Sequence, residues 1–245
     1  MRHFSEILDE AAQRKGGHAA LGAALSRGAS STPAEIAALP DDRVLAEMSR
    51  RVFHAGFSWK VVDRKWPAFE DLFEGFDPLR CAAFSPDRLD ALLADGRIVR
   101  NGAKIRSIAL NAAFILELSA AHGNAARLFA NWPAENYVGL LELLKKKGSR
   151  LGGQAGMRFL RSIGVPSFIT TGVVVTALRR EGVLSGKPGS RRDQLAIQAA
   201  FNEWNAQSGL DLTAISRVLA MTVGEDSAFA TSAYITPSLL NGGPA

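Results

Sequence analysis

The sequence predicts an all-α protein. Apolar residues recur mainly at the three- and four-residue spacing of amphipathic helices, and long alternating runs of the kind that form half-buried strands are hard to find. With 245 residues, of which 47% are apolar and 22% charged, the chain has an ordinary globular composition. We therefore expect one large helical domain or two small helical lobes, with a sizeable core.

Charge and cysteine content narrow the class of protein. Lysine and arginine number 29 against 24 acidic residues, which favours a polyanionic partner if the excess is concentrated on one surface. The single cysteine, Cys81, excludes an internal disulfide and a cysteine-rich zinc site and fits a reducing compartment. Neither a secretory signal nor a membrane span is found. We expect a cytoplasmic protein with no membrane partner.

Composition divides the chain into three parts. Residues 1–40 are predicted to be a helical appendage, with an amphipathic segment over about Phe4–Leu25 and a cap at Ser31 or Thr32 before Pro33. Residues 41–223 form the main domain. The tail, residues 224–245, is rich in Ser, Thr, Gly and Ala and is expected to be poorly ordered.

Helices follow one another through the main domain, each bounded by a capping or breaking signal. They run from about 41 to 55, on to 73 after a turn, from 85, from 101, from 133 to 147, and over 154–163, 174–181, 195–208 and 213–223. Asp41, Ser85 and Asn101 suit helix starts, whereas Gly56 and the FDP at 76–78 turn or end a helix. The predicted buried stripe of the long helix is Ile105, Ile108, Ala112, Ile115 and Leu116.

A basic, glycine-rich stretch, LKKKGSRLGG at 144–153, separates two of these helices. Its lysines, residues 145–147, lie at a helix carboxyl end, where the helix dipole favours cations. Gly148 follows as a predicted left-handed cap. The simplest interpretation is an ordinary turn between two helices with solvated lysines.

The second half of the stretch indicates a phosphate contact. Leu151 can pack between the two helices, while Gly152 and Gly153 leave backbone amides uncovered where the next helix begins. Such amides bind phosphate. Together with Arg150 and Arg158, they predict a sequence-independent contact with a nucleic-acid backbone.

Four motifs occur in a fixed order: AGFSW at 55–59, FDP at 76–78, RIVRNGAKI at 97–105 followed by Asn111-Ala112, and LKKKG at 144–148. In order and spacing they resemble the bacterial 3-methyladenine DNA glycosylase I family of the helix-hairpin-helix DNA glycosylases. The resemblance covers about Val44–Val165. It implies a two-lobed, all-α fold with a helix-hairpin-helix motif.

The resemblance also implies a site. A base-binding pocket would lie between the two lobes and be lined by Trp59, with Arg51, Phe53 and Trp66 nearby; the alternative for Trp59 is simple packing between helices. Phosphates flanking an extruded nucleotide would be held by Lys147, Gly148, Arg150, Gly152, Gly153 and Arg158.

Arg51 departs from the family pattern, because the family places a base-reading glutamate at this position. A cationic side chain opposes a positively charged base unless it is neutralised. Glu47, one turn earlier, can pair with Arg51 and is the candidate replacement carboxylate. The alternative for Glu47 is a surface ion pair without a role in the chemistry.

The family's zinc ligands are also missing. The available candidates, Cys81, His3, His18, His54 and His122, form no spacing that could hold a metal. We expect no zinc, with contacts from the amino-terminal segment and the carboxy-terminal helices in its place. The hairpin carbonyls are a candidate site for a monovalent cation.

Related helix-hairpin-helix enzymes place a catalytic aspartate where the same count reaches Val173, and residues 166–180 contain no carboxylate. This excludes an aspartate-driven mechanism, which the 3-methyladenine family does without. The resemblance thus implies a monomeric, monofunctional hydrolase that removes alkylated purines from double-stranded DNA. The alternatives are a catalytically inactive binder of damaged DNA and a helical interaction module with solvated basic patches.

Overall fold

The computed structural model describes residues 1–186 and 188–223, and all regular structure within them is helical. The α-helices are α1 (Phe4–Lys15), α2 (His18–Ser26), α3 (Pro33–Ala37), α4 (Asp41–His54), α5 (Trp59–Leu72), α6 (Pro78–Ala82), α7 (Pro86–Ala94), α8 (Gly102–His122), α9 (Ala125–Ala130), α10 (Tyr137–Lys147), α11 (Gln154–Ser162), α12 (Gly172–Arg180), α13 (Arg191–Ser208) and α14 (Leu212–Met221). The all-α prediction is confirmed. The predicted tail, 224–245, lies outside the described residues.

Local geometry explains where the helices differ from the sequence-based ranges. The first segment is two helices, because Gly16 and Gly17 adopt φ of 89° and 113° and end α1. The FDP motif ends one helix and also starts another: the Asp77 side chain accepts from the amides of Leu79 and Arg80 and caps α6. Short helices such as α6 and the six-residue α9 lack the length to show a periodic apolar pattern.

Helix α8 lies at the centre of the fold and packs against α4, α6, α7 and α9. Four members of its predicted stripe, Ile105, Ile108, Ala112 and Ile115, are fully buried. The fifth, Leu116, is only partly buried. The central position of α8 makes it the element against which both halves of the candidate site are placed.

The amino-terminal segment shares the core with the carboxy-terminal helices. Phe4 is fully buried with its ring 6.1 Å from that of Trp204, and its amide donates to Gln207 Oε1 at 2.7 Å. The Trp204 indole donates in turn to the Arg2 carbonyl at 3.3 Å. The residues predicted to form an appendage therefore pack against α13 and α14. The domain boundary at residue 40 stays a prediction.

An ion cluster also joins the two ends of the chain. The Glu181 side chain, 1% exposed, accepts from Arg2 Nη2 at 2.6 Å and from Arg180 Nε at 3.2 Å. Glu10 bridges the same two arginines at 2.9 Å each. Burial alone would raise the pKa of Glu181, but its bonds to Arg2 and Arg180 outweigh burial and hold that pKa below its ordinary value.

Glu181→Gln is expected to destabilise the protein by about 1–3 kcal/mol at pH 7, because two guanidinium groups lose their shared buried acceptor. The folded pKa is depressed, so this stabilisation is present above the unfolded pKa of about 4.3 and is lost as pH falls through the folded pKa. Urea unfolding across this pH range measures the difference, with the exposed Glu135→Gln as control. A difference that stays constant into acid would contradict the assignment.

Candidate functional site

Lys104 connects α8 to the turn that carries Trp59. Its ammonium donates to the carbonyl of Val52 at 2.7 Å and to that of Ala55, so it caps the carboxyl end of α4. It also lies 4.7 Å from the ring of Phe57. Burial and the nearby charge of Arg150 lower the pKa of Lys104. The AGFSW turn is therefore fixed by a side chain from the RNGAKI motif.

Asn111 connects the same helix to the segment between α10 and α11. The fully buried side chain donates to the Ser149 carbonyl at 3.1 Å and accepts from the Ser149 amide at 2.7 Å. A single amide thus satisfies both backbone groups of one residue in the connecting segment, residues 148–153, which we call the hairpin. Its position relative to α8 follows from this pair of bonds.

The hairpin backbone corrects one expectation about its glycines. Gly148 has φ of −82° and ψ of 142°, an extended conformation and not a left-handed cap. Glycine is required there for space, since a Cβ atom would lie 2.7 Å from both the Leu144 carbonyl oxygen and Leu151 Cδ1. The positive φ angles fall instead on Arg150 (61°) and Gly153 (60°).

The predicted backbone-binding residues surround this turn. Leu151 is 1% exposed, as the plugging role predicted, whereas Arg150, Gly152 and Gly153 are exposed. Gly153 caps α11 without a side chain over the first amides of that helix. Lys147 is exposed and pairs with Glu117 at 2.8 Å. Arg150, Gly152 and Gly153 are thus exposed at the start of α11, the end of a helix at which backbone amides can bind a phosphate group.

Trp59 is the point at which the AGFSW turn and α11 meet. The half-buried indole begins α5 and stacks on the His54 ring, with centroids 5.1 Å apart and planes 14° apart. The Arg158 guanidinium, on α11, lies 5.2 Å from the indole centroid. Trp59, predicted to line the pocket, and Arg158, predicted to bind the DNA backbone, are 99 positions apart in sequence and are in contact in the structure.

A buried polar chain runs along α4 to Trp59. Arg51 Nε and Nη2 each lie 2.5 Å from Glu47 Oε1, and Arg51 Nη1 lies 3.3 Å from His54 Nδ1. His54 Nε2 is 3.0 Å from Asp63 Oδ1. Because a guanidinium can only donate, Nδ1 is the acceptor and Nε2–H donates to Asp63. Burial, then the charge of Arg51, lowers the pKa of His54, so its ring is neutral at pH 7.

The Glu47–Arg51 pair is buried and is not the surface ion pair that the alternative interpretation required. Glu47 is 4% exposed and Arg51 8% exposed. The charge introduced by Arg51 is thus offset within the same helix. The carboxylate of Glu47 contacts Arg51, and Arg51 in turn contacts His54 beside Trp59.

Two residues predicted near the pocket lie in the core behind it. Phe53 is fully buried, with its ring 4.7 Å from that of Phe69. Trp66 is 5% exposed, stacks between Phe69 and Phe76, and is covered by Arg50 at 4.4 Å. The structure does not bring either ring to the surface beside Trp59.

No group of three or more His, Cys, Asp or Glu side chains in the described ranges could hold a metal ion. Cys81 is buried, and burial raises the pKa of its thiol to about 12. Over the same part of the chain, no helix is long and apolar enough to cross a bilayer.

Sequence reasoning missed the residues that position the site. Lys104 and Asn111 stand inside motifs used for the resemblance, yet their partners are distant in sequence. His54 was considered only as a metal ligand, although its spacing of three from Arg51 puts both on one face of α4. That spacing, followed by an aromatic residue five positions later, was the available signal.

Comparison with known proteins supports the resemblance. Residues 38–139 match the methyladenine glycosylase family. The predicted resemblance to methyladenine glycosylases is confirmed over this segment. The match ends in the first turn of α10, so the hairpin lies outside it.

Solved structures of 3-methyladenine DNA glycosylase I are also similar to this chain. The Staphylococcus aureus enzyme is 22% identical over 52% of this chain and 78% of that chain, with a TM-score of 0.46. A glutamine-for-glutamate variant from the same organism is 20% identical over 62% and 90%, at 0.48. A phenylalanine-for-tyrosine variant in complex with 3-methyladenine is 20% identical over 64% and 91%, at 0.49.

Asn111→Ala is expected to destabilise the protein by about 1–3 kcal/mol, because the Ser149 amide and carbonyl lose their shared partner. Amide hydrogen exchange in the hairpin should accelerate more than exchange elsewhere. The exposed Asn131→Ala provides the control. Unchanged hairpin exchange in Asn111→Ala would show that other contacts hold this segment.

Glu47→Leu is expected to cost about 3–5 kcal/mol, because it leaves the buried Arg51 cation unpaired. The double variant Glu47→Leu/Arg51→Leu should recover most of that loss, since it removes both charges. Chemical denaturation of the two variants measures the recovery. A double variant no more stable than the single one would show that the pair is more than a balanced charge.

Proposed function

We propose that this protein is a monofunctional DNA glycosylase that hydrolyses the N-glycosidic bond of alkylated purines in double-stranded DNA, acting as a monomer in the cytoplasm. The family match over residues 38–139 supports the glycosylase assignment. The observation that carries it is the contact between Trp59 and α11, since Arg158 on that helix lies 5.2 Å from the indole centroid. A stacking surface and a phosphate contact beside each other are what an enzyme acting on an extruded base needs.

The proposed DNA contact is the hairpin. Arg150 and the amides at Gly152 and Gly153 are exposed together at the start of α11. They would hold phosphates that flank the target nucleotide, without reading sequence. Phe57, which is 37% exposed on the AGFSW turn, would place its apolar side chain against the bases next to the gap that the extruded nucleotide leaves in the duplex.

The proposed base contact is Trp59. The His54 ring stacks on the indole and the Arg158 guanidinium also lies over it, so a purine that leaves the stack would displace Arg158 from the ring. Stacking on the indole would then replace base stacking and be worth about 1–3 kcal/mol. Because Glu47 offsets the charge of Arg51 at 2.5 Å, this buried pair adds no net charge against a cationic alkylated base. Glu47 then acts as a positioning residue that holds Arg51.

Cleavage of the glycosidic bond of an alkylated purine needs little acid catalysis from the protein. Alkylation at a ring nitrogen gives the purine a positive charge, so when the bond from N9 to C1′ breaks, its electron pair returns to the ring and the base leaves neutral. Water adds to C1′ and releases a proton to solvent. The sugar cation that develops is stabilised by surrounding negative charge, including the phosphates of the DNA.

Simple hydrolysis, and not strand cleavage through a lysine, fits the side chains of this site. Lys104 contacts the turn that carries Trp59, and its ammonium is bonded to the carbonyls of Val52 and Ala55. A nucleophilic amine needs a free lone pair and access to C1′. The geometry of Lys104 supports a structural role.

A second candidate function is a catalytically inactive protein that binds damaged DNA. The observation that favours it is Arg51, which stands where the resembling family has an acid. Binding of alkylated DNA without release of any base would support this second function. The absence of salt-dependent DNA binding would remove both candidates.

The proposed function predicts that the protein releases methylated purines from methylated duplex DNA. Chromatography of the freed bases measures this release. Trp59→Ala should lower the release rate by about 10–100-fold through lost stacking, with a smaller effect on binding of undamaged DNA.

The hairpin contact is tested by Gly152→Asp against Gly152→Asn. A Cβ at this position meets only Lys145 Cγ, at 3.6 Å, so both side chains fit and differ in charge alone. The aspartate should weaken DNA binding by about tenfold or more relative to asparagine, through repulsion of phosphate. Equal affinities would remove the hairpin assignment while leaving the pocket untouched.

A further inference from the structure

We infer that Arg51 makes this pocket selective for purines that present two hydrogen-bond acceptors on their O6/N7 edge, so that 3-alkylated guanine is released in preference to 3-alkylated adenine. The inference rests on the proposed function and concerns the base that the same site accepts. It starts from the donors that Arg51 has available.

A guanidinium has five N–H groups and no acceptor. In Arg51, Nε and one Nη2 hydrogen are directed at Glu47, and one Nη1 hydrogen is directed at His54. Within residues 1–186 and 188–223, nothing else accepts from this side chain, which leaves one N–H on each Nη atom. A guanidinium presents one N–H of each Nη atom on the end opposite to Nε, as a parallel pair that binds two neighbouring acceptors, and the proposal assigns the two free hydrogens of Arg51 to this pair.

The orientation of Arg51 is fixed before a base arrives. Its 9% exposed side chain is clamped by Glu47 at 2.5 Å, and its Nη1 is one hydrogen bond from the His54 ring that stacks on Trp59. Asp63, bonded to the other nitrogen of His54, holds that ring in the tautomer that accepts from Arg51. The proposal places the free end of this preorganised guanidinium against the edge of a base that lies beside Trp59.

The two 3-alkylpurines differ at the edge that such a wall reads. Guanine presents O6 and N7, two acceptors at the spacing of a guanidinium end, and this is the commonest specific contact between arginine and a base. Adenine presents N7 and an N6 amino group, which is a donor. Against Arg51 the amino group would place donor against donor and leave a buried N–H without a partner.

Electrostatics do not decide between these two bases. Both 3-alkylpurines carry one positive charge in DNA, and the pair formed by Glu47 and Arg51 is balanced. His54 is neutral at pH 7, since burial and the charge of Arg51 lower its pKa. The nearby charges of Asp63, which pairs with His54 and Arg50, and of Arg158 act equally on both cations. Selectivity therefore comes from the hydrogen-bonding edge.

A third lesion provides an internal contrast. In 7-alkylated guanine the alkyl group occupies N7, so a single acceptor, O6, remains for Arg51. This base should be released more slowly than 3-alkylated guanine, although both are cationic guanines. Hypoxanthine keeps both acceptors but is uncharged, and the described site offers it no identified acid to protonate the leaving base.

The test uses duplex DNA treated with a methylating agent, which contains all three lesions in one sample. The rates at which 3-methylguanine, 3-methyladenine and 7-methylguanine are released are each normalised to their content in the DNA. We expect 3-methylguanine to exceed 3-methyladenine by about tenfold or more. A ratio measured in one sample does not depend on the fraction of active protein.

The variant is Glu47→Gln/Arg51→Gln, which removes both charges together and so avoids an unpaired buried ion. Its ratio should fall toward one. Arg43→Gln, eight positions earlier on α4, is the control, because the Arg43 guanidinium pairs with Asp42 and Glu70 and the substitution should leave the ratio unchanged.

Release of 3-methyladenine at an equal or higher rate would overturn the inference and leave the glycosylase function standing. If no base is released, the proposed function fails, and calorimetry with free 3-methylguanine and free 3-methyladenine tests the inference by itself. Tighter binding of 3-methylguanine, lost in the double variant, would support it. Equal affinities would overturn it.

Discussion

Helix α8 holds the two halves of the candidate site in register through two polar side chains. Lys104 donates to the carbonyls at the end of α4, and Asn111 satisfies both backbone groups of Ser149 in the hairpin. Both side chains are buried, so each contact is costly to leave unmade. The distance between Trp59 and the hairpin is consequently set by the geometry of one helix.

The second constraint is the buried pair of Glu47 and Arg51. Burying two charges stabilises a fold little when compared with apolar packing, and its retention in a core is better explained by the geometry that it imposes. Here it clamps a guanidinium that also contacts His54, the residue whose ring stacks on Trp59. Arg51, which departs from the family pattern, is the residue to which we assign recognition of the base.

The helical class, the main caps and the hairpin were predictable because they are local. Asp41, Ser85 and Asn101 stand at or beside helix starts as predicted, and the plugging Leu151 is buried. The predicted conformation of Gly148 was wrong because two different requirements, a positive φ angle and the close approach of neighbouring atoms, both select glycine. Phe53 and Trp66 shared a neighbourhood with Trp59 in sequence, but their helical positions turn them toward the core.

The sequence by itself determined that the chain is helical, that a basic glycine-rich turn joins two helices, and that its motifs resemble a glycosylase family. These properties depend on periodicity, backbone freedom and residue order, which are legible along one dimension. The tertiary structure alone decided that Arg158 meets Trp59, that Lys104 and Asn111 hold the two parts together, and that Arg51 is both buried and neutralised. Those contacts join residues distant along the chain or depend on burial, and burial exists only once the helices have packed.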